Sequence, residues 1–185
     1  MKIQDVIVSA LRHIGREDIA LLLDDGDRPY GEQSEVVNTL LYCVHATEDE
    51  LARYYFPLKC VETLNSQNGE FSFENFSHIP VRISKVMVDG REIEFTLTTK
   101  AVVAAAQRAE IEYYYVPEKK SMDYNCAFGD TFDNNITALG AAAEYCLICG
   151  EASLAEALET RYREAIERAQ KASKQGAFLP PRRWV

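Results

Sequence analysis

The fold class follows from residues 81–97, which read VRISKVMVDGREIEFTL. Apolar and polar side chains alternate over most of this stretch, and a spacing of two residues is the pattern of a β-strand. Asp89 and Gly90 lie between two such halves, and an Asp-Gly pair in that position is a strong signal for a tight hairpin turn. The stretch therefore predicts an antiparallel β-hairpin in the middle of the chain.

Further short strands are predicted on both sides of this hairpin. The segments that share the strand pattern are Leu58–Leu64, Glu70–Phe73, Val81–Val88, Arg91–Leu97, Val102–Val103 and Glu110–Val116. Asn68-Gly69 predicts a second hairpin, between the first two of them. In the arm after Gly90, the side chains of Ile93, Phe95 and Leu97 are expected to share one face. Short strands joined by tight turns imply a mainly antiparallel β module, either a small sheet or a sandwich.

Helical spacing of apolar residues marks both ends of the chain. The predicted helices are Ile3–Ile14 with a Gly15 cap, Asp18–Leu23, Ser34–Tyr55 stopped by Pro57, Ile136 to a Gly150 cap, and Glu151–Ser173. Helices, then strands, then helices predict an α+β fold in which a β module is inserted into a helical bundle. The predicted boundaries are residues 1–57 and 133–175 for the bundle, 58–132 for the β module and 176–185 for an extended C-terminal tail.

Charge is distributed unevenly along the 185 residues. The net charge is -9, from 20 basic and 29 acidic side chains, but residues 171–185 hold four bases and no acid. The first 170 residues therefore carry -13, and residues 171–185 carry +4. Because affinity for nucleic acid comes mainly from neutralised phosphates, an acidic body argues against a protein that grips DNA or RNA.

The cysteines and the N-terminus bear on the compartment. Five cysteines, an odd number, lie mostly in apolar runs, which indicates buried thiols in a reducing environment. No signal-peptide pattern opens the sequence, and no run is apolar for long enough to span a bilayer. We expect the protein to be made in the cytoplasm.

Motifs for catalysis, metal or cofactor binding fail when tested against their required spacing. Cys146 and Cys149 form a C-x-x-C pair, but no second pair accompanies them and core packing is the favoured interpretation. The acidic turn at residues 24–27 lacks the first ligand of a calcium loop. His13, His45 and His78 have no common spacing and are expected to be structural or solvated. The chain also lacks phosphate-binding loops and nucleophile elbows. We expect a protein that is not an enzyme and needs no cofactor or metal.

Two segments are candidate partner-binding sites. The C-terminus combines the only tryptophan with two arginines and a stiff Pro-Pro unit, residue types that dominate binding hot spots: Phe178, Leu179, Pro180, Pro181, Arg182, Arg183, Trp184 and Val185. An alternative is that Trp184 folds back on its own core. The run Tyr113, Tyr114 and Tyr115 is either an ordinary strand-forming cluster or an interface belt.

Several stretches together resemble one family, the head-to-tail connector adaptors of tailed bacteriophages. They are YFPLK at residues 55–59, IPVRISKV at 79–86, IEYYYVP at 111–117 and AAAEYC at 141–146, the last followed by a long charged helix. The similarity is greatest to the podophage tail tubular protein A group and to related prophage adaptors.

The resemblance implies a virion structural protein at the neck of the particle. Such adaptors form a ring, commonly of twelve copies, that docks below the portal, extends the DNA channel and attaches the tail or nozzle proteins. A C-terminal segment typically reaches into the portal, and the matching part here is residues 178–185. The acidic body would then line a channel through which DNA slides without specific binding. The alternatives are a tail completion or tail-tube protein and, from another class, a small cytoplasmic α+β domain with a ligand-binding or enzymatic site.

Overall fold

The computed structural model describes residues 1–128 and 135–174. Its helices are α1 Ile3–His13, α2 Glu17–Asp24, α3 Glu32–Glu50, α4 Asn135–Ile148 and α5 Ala152–Lys174. Its strands are β1 Leu58–Asn65, β2 Glu70–Ser72, β3 Pro80–Val88, β4 Arg91–Glu92, β5 Phe95–Leu97, β6 Ala101–Ala104 and β7 Arg108–Tyr115. The predicted α+β class is confirmed, with helices at both ends of the chain and antiparallel strands between them.

The chain divides into a helical unit and a β unit. Among the described residues, the helical unit comprises residues 1–48, 119–128 and 135–174, and the β unit comprises residues 49–118. The long helix predicted from Ser34 to Tyr55 spans this division, because α3 ends at Glu50 and Leu51–Tyr55 form a π-helical turn. Pro57, which lacks an N–H and cannot continue a helix, follows that turn.

The helical unit is built around α4, which packs against α1 and α5. Residues 136–143 are all buried, so this half of α4 is covered on every side. Because many side chains of α4 are small, the residues that cover this helix approach its backbone closely. A Cβ placed on Gly140 would lie 2.5 Å from Thr47 Cγ2 and 3.0 Å from Tyr162 Cε2. Close approach by neighbouring side chains is what the small residues of this helix predict.

The last helix, α5, has the two faces that its sequence predicts. Leu158, Tyr162 and Ile166 are buried on one stripe. The exposed side carries three ion pairs between residues four apart, namely Glu159–Arg163, Glu164–Arg168 and Glu167–Lys171. Each such pair adds only a few tenths of a kcal/mol, so burial of the stripe supplies most of this helix's stability.

The β unit is a small sandwich of two antiparallel sheets. One sheet has the order β1-β7-β3-β4 and the other the order β2-β6-β5. Buried side chains from both sheets form one core: Phe71, Phe76, Ile83, Val86, Val102, Ala104, Ala109, Ile111 and Tyr113. The hairpin predicted at Asp89-Gly90 is confirmed, since β3 pairs with β4 and both turn residues have positive φ.

Two predictions about strand pairing are wrong. No hairpin forms at Asn68-Gly69, because β1 pairs with β7 while β2 pairs with β6 in the other sheet. Gly69 has the positive φ that a turn needs, and its carbonyl accepts a hydrogen bond from the Ala104 N–H. The arm Arg91–Leu97 is also divided: β4 and β5 belong to different sheets, and Leu97 is exposed.

Candidate interaction surfaces

The histidines have the structural roles expected of them. His13 Nε2 lies 2.7 Å from Asn135 Oδ1, and His45 Nε2 lies 2.9 Å from the Lys120 carbonyl oxygen. His78 stacks on Tyr115 with ring centroids 4.1 Å apart. Within residues 1–128 and 135–174, no group of three or more His, Cys, Asp or Glu side chains is arranged to hold a metal ion.

One thiol of the C-x-x-C pair is buried and the other is exposed, which corrects the prediction that both pack in the core. Cys146 is fully buried, and burial raises its pKa to about 11. Cys149 is exposed, because α4 ends at Ile148 and the last turn leaves the helical unit's core. Leu147 and Ile148 beside it are exposed as well. A thiol reagent added to the folded protein can therefore reach Cys149 but not Cys146.

The three tyrosines of β7 have different environments. Tyr113 is 0% exposed and belongs to the sandwich core, so its ring is unavailable to a partner and the interface interpretation does not hold for it. Tyr115 is half-buried on the same side of the strand, stacked with His78. Tyr114 points to the opposite side, where the guanidinium carbon of Arg82 lies 4.5 Å from its ring centroid. Of the three, Tyr114 is the one on an outward surface.

A polar network surrounds the hydroxyl of Tyr113 inside the β unit. Glu62 accepts hydrogen bonds from that hydroxyl, from the Cys60 thiol at 3.3 Å and from the Ser77 N–H at 3.1 Å. Burial by itself would raise the pKa of the Glu62 carboxyl, but these hydrogen bonds outweigh it and lower that pKa below the usual glutamate value. Burial, followed by the hydrogen bond to Glu62, raises the pKa of Tyr113. The network ties β1, β7 and the segment before β3 together.

The outward side of the first sheet is a charged and aromatic surface, here called the outer β face. It consists of Lys59, Val61, Arg82, Lys85, Glu112 and Tyr114, which lie side by side because Tyr114 pairs with Lys59 and Arg82, and Glu112 with Val61 and Lys85. Lys59 Nζ lies 2.6 Å from Glu112 Oε2; their hydrogen bond raises the pKa of Lys59 and lowers that of Glu112. Glu110, two residues before Glu112 on β7, lies next to this face and pairs with Thr63 and Met87. Three cations and one carboxylate give the face a net positive charge.

Exposed apolar side chains adjoin the outer β face at the start of β3. Ile79 is 78% exposed and Val81 is 47% exposed. Val81 is placed outward by a bulge, since the pairing with β7 shifts between Pro80 and Arg82. Apolar residues beside arginine and tyrosine have the composition of a protein interface core.

The helical unit carries a complementary acidic surface in residues 17–35, here called the acidic segment. It has seven acids, Glu17, Asp18, Asp24, Asp25, Asp27, Glu32 and Glu35, against one base, Arg28. Two exposed apolar side chains, Leu21 and Tyr30, accompany them. Arg12 and Arg16 pair with Asp24 and Asp18. The turn at residues 24–27 is exposed, as an acidic turn without calcium-loop spacing predicts.

An open cleft of about 550 Å³ lies beside the Asp89-Gly90 turn. Its lining is formed by Thr63, residues 87–90 and residues 105–110. No histidine, cysteine or serine of the described residues lines it, and its charged side chains are Asp89, Arg108 and Glu110. The cleft is a weaker candidate for function than the two charged surfaces.

The predicted docking tail, Phe178–Val185, lies outside the described residues. No helix within residues 1–128 or 135–174 is long and apolar enough to cross a bilayer.

The outer β face was not predicted from the sequence, although a signal for it exists. Lys59, Arg82 and Lys85 occupy polar positions of strands whose alternate residues are apolar, and the register of three strands decides that they meet. Glu62 has a signal of its own, because it is an acid at an inward position of β1, between Cys60 and Leu64.

Comparison with known proteins gives no family for this chain: no family model matches the sequence, and neither does any curated protein.

Proposed function

We propose that this chain is the structural subunit of a head-tail adaptor, a ring below the portal of a phage or prophage particle that extends the DNA channel and attaches the tail. The observation that carries the proposal is the chain order of the two units. Helices from both ends of the chain belong to one unit, and an antiparallel β sandwich is inserted between α3 and α4. This is the arrangement that the resemblance to adaptors implies.

The charge of the helical unit supports a channel role. Outside the tail, residues 1–48 and 119–170 carry 18 acids and nine bases. A surface with this excess of carboxylates repels phosphates, so DNA passing it would not stick. A channel wall needs this property, whereas a DNA-binding protein needs the opposite one.

The tail has a separate role in the proposal. Its two arginines, its tryptophan and its Pro-Pro unit would attach the acidic body to the portal protein. The protein would be synthesised in the bacterial cytoplasm and would reside at the neck of the finished particle.

The test uses the phage or lysogen that encodes the chain. Its gene should lie beside portal and capsid genes, and deleting it should give DNA-filled heads without tails. Complementation with the full chain should restore tailed particles, and imaging of the neck should show a ring of this protein at the portal. Complementation with residues 1–177 should yield folded protein that does not join the portal.

Other outcomes have defined meanings. A ring located further along the tail would identify a tail completion or tail-tube protein instead. Absence of the chain from purified particles would refute a virion role altogether. Loss of folding in the 1–177 variant, measured by circular dichroism, would show that the tail packs on its own core and is not a docking segment.

A further inference from the structure

The outer β face has three cations, Lys59, Arg82 and Lys85, and one carboxylate, Glu112. Arg82 and Lys85 form no ion pair with any residue in the described ranges, and Arg82 is held in place by its contact with the Tyr114 ring. Lys59 is paired with Glu112. Ile79 and Val81 extend the face with apolar surface that water covers in the single chain. A positively charged face with an apolar rim fits a negatively charged surface that also offers apolar contacts.

The acidic segment of the helical unit has those properties. Among the residues that the structure describes, no cation pairs with Asp25, Asp27 or Glu35. Leu21 and Tyr30, which is 78% exposed, give the segment apolar contacts. The two surfaces therefore carry opposite charge, and each offers exposed apolar side chains that the other can contact.

We propose that the outer β face docks on the acidic segment of a second copy of this chain. The inference extends the adaptor function proposed above, because it names the surfaces through which neighbouring ring subunits meet. The two surfaces are different, so the contact is heterologous: each subunit offers its β face to one neighbour and its acidic segment to the other. Contacts of this kind close into a ring when the rotation between subunits permits it.

The first measurement is self-association of the purified full-length chain. Sedimentation velocity from about 1 to 500 μM at low ionic strength should show association that increases with concentration, and added salt should weaken it because salt screens exposed charges. A monomer at every concentration would overturn the proposal.

Charge reversal then tests the surfaces themselves. One variant combines Ile79→Glu with Arg82→Glu on the β face, and the other combines Asp25→Lys with Asp27→Lys on the acidic segment. Like charges then face each other in both variants, so each alone should associate at least about 100-fold more weakly than the wild type. Mixing the two variants pairs a reversed β face with a reversed acidic segment and should restore association.

Matched controls lie on α5, outside both surfaces. Arg161→Glu and Glu156→Lys change exposed charges of the same kinds and should associate like the wild type. All variants should keep the wild-type circular dichroism spectrum. If the doubly reversed β face does not fold, Arg82→Gln replaces it and should still weaken association. Self-association of both reversed variants at the wild-type level, or a mixture that stays monomeric, would overturn the proposal.

Failure of this inference and failure of the adaptor function give different results. If the reversed β-face variant still forms a ring at the neck of particles, the function stands and the interface lies elsewhere. If the variants behave as expected in solution but the chain is absent from particles, the interface stands and the function falls.

Discussion

The hydrogen-bonded carboxylate of Glu62 leads to a stability prediction for Tyr113→Phe. The substitution keeps the ring in the core and removes only the hydroxyl that donates to Glu62. A hydrogen bond to a charged group contributes roughly 1.5–3 kcal/mol, and water partly screens Glu62, so we expect a loss of about 1–2 kcal/mol at pH 7. For a chain of this length, that corresponds to a decrease in Tm of roughly 2–8 °C.

The pH dependence of this loss identifies its cause. Glu62 has a pKa lowered by folding, so its stabilising contribution is fully present above the unfolded-state value of about 4.3. That contribution is lost as the pH falls through the folded-state pKa. In Tyr113→Phe the Glu62 pKa moves back toward its usual value, so the variant has less to lose in acid. The difference between wild type and variant should therefore be largest at pH 7 and should shrink below about pH 4.

The assay is urea unfolding followed by circular dichroism at pH 7 and pH 3.5. Tyr114→Phe is the matched control, because that hydroxyl lies on the outer β face and should change the free energy of unfolding by less than about 0.5 kcal/mol. A Tyr113→Phe variant as stable as the wild type at pH 7 would refute the reasoning. So would a loss of stability that is the same at both pH values.

Three further predictions concern the helical unit. Gly140→Ala should lower the free energy of unfolding by about 1 kcal/mol or more, because clashes with Thr47 and Tyr162 outweigh the ~1 kcal/mol gain in helix propensity; a raised Tm in thermal melting would contradict this. Glu48→Ala should cost about 2 kcal/mol by urea unfolding, since the buried carboxylate accepts a 2.6 Å hydrogen bond from the Ala127 N–H, and Glu48→Gln, which keeps an acceptor, should cost less. Of the four cysteines other than Cys60, only Cys149 should react quickly with a thiol reagent in native protein, because burial raises the pKa of Cys43 and Cys126 to about 12; fast labelling of Cys43, Cys126 or Cys146, located by peptide mass spectrometry, would argue against this.

The helices and the central hairpin were predictable because their signals are local. Gly15 and Gly150 have the positive φ expected of helix caps, and Asp89-Gly90 turns β3 into β4. Each of these positions is decided by a few neighbouring residues. The same is true of the α5 ion pairs, whose partners are four residues apart.

Strand partners were not predictable, because pairing depends on residues far apart in sequence. Gly69 has the conformation of a turn, yet the strands on its two sides enter different sheets. The outer β face depends on the same long-range register, since Lys59 and Arg82 meet only across Tyr114 of β7. Cys149 shows a different limit of prediction. The apolar periodicity indicates that it lies at the end of a helix, but it does not tell whether another element covers that end.

The position of β7 in the first sheet has a consequence for how the chain folds during synthesis. β7 hydrogen-bonds to both β1 and β3, and its pairing with β1 joins residues 58–65 to residues 108–115. While the ribosome is still making the loop before β7, β1 has no partner strand, whereas the strands of the β3–β4 hairpin and of the β2-β6-β5 sheet have already been made. α1 likewise cannot pack against α4 until the whole β unit has been synthesised, because α4 follows that unit in the chain. Contacts this distant in sequence slow folding and leave early segments open to aggregation. We therefore expect nascent chains that stop before residue 108 to depend on chaperones, and the complete chain to be released from them.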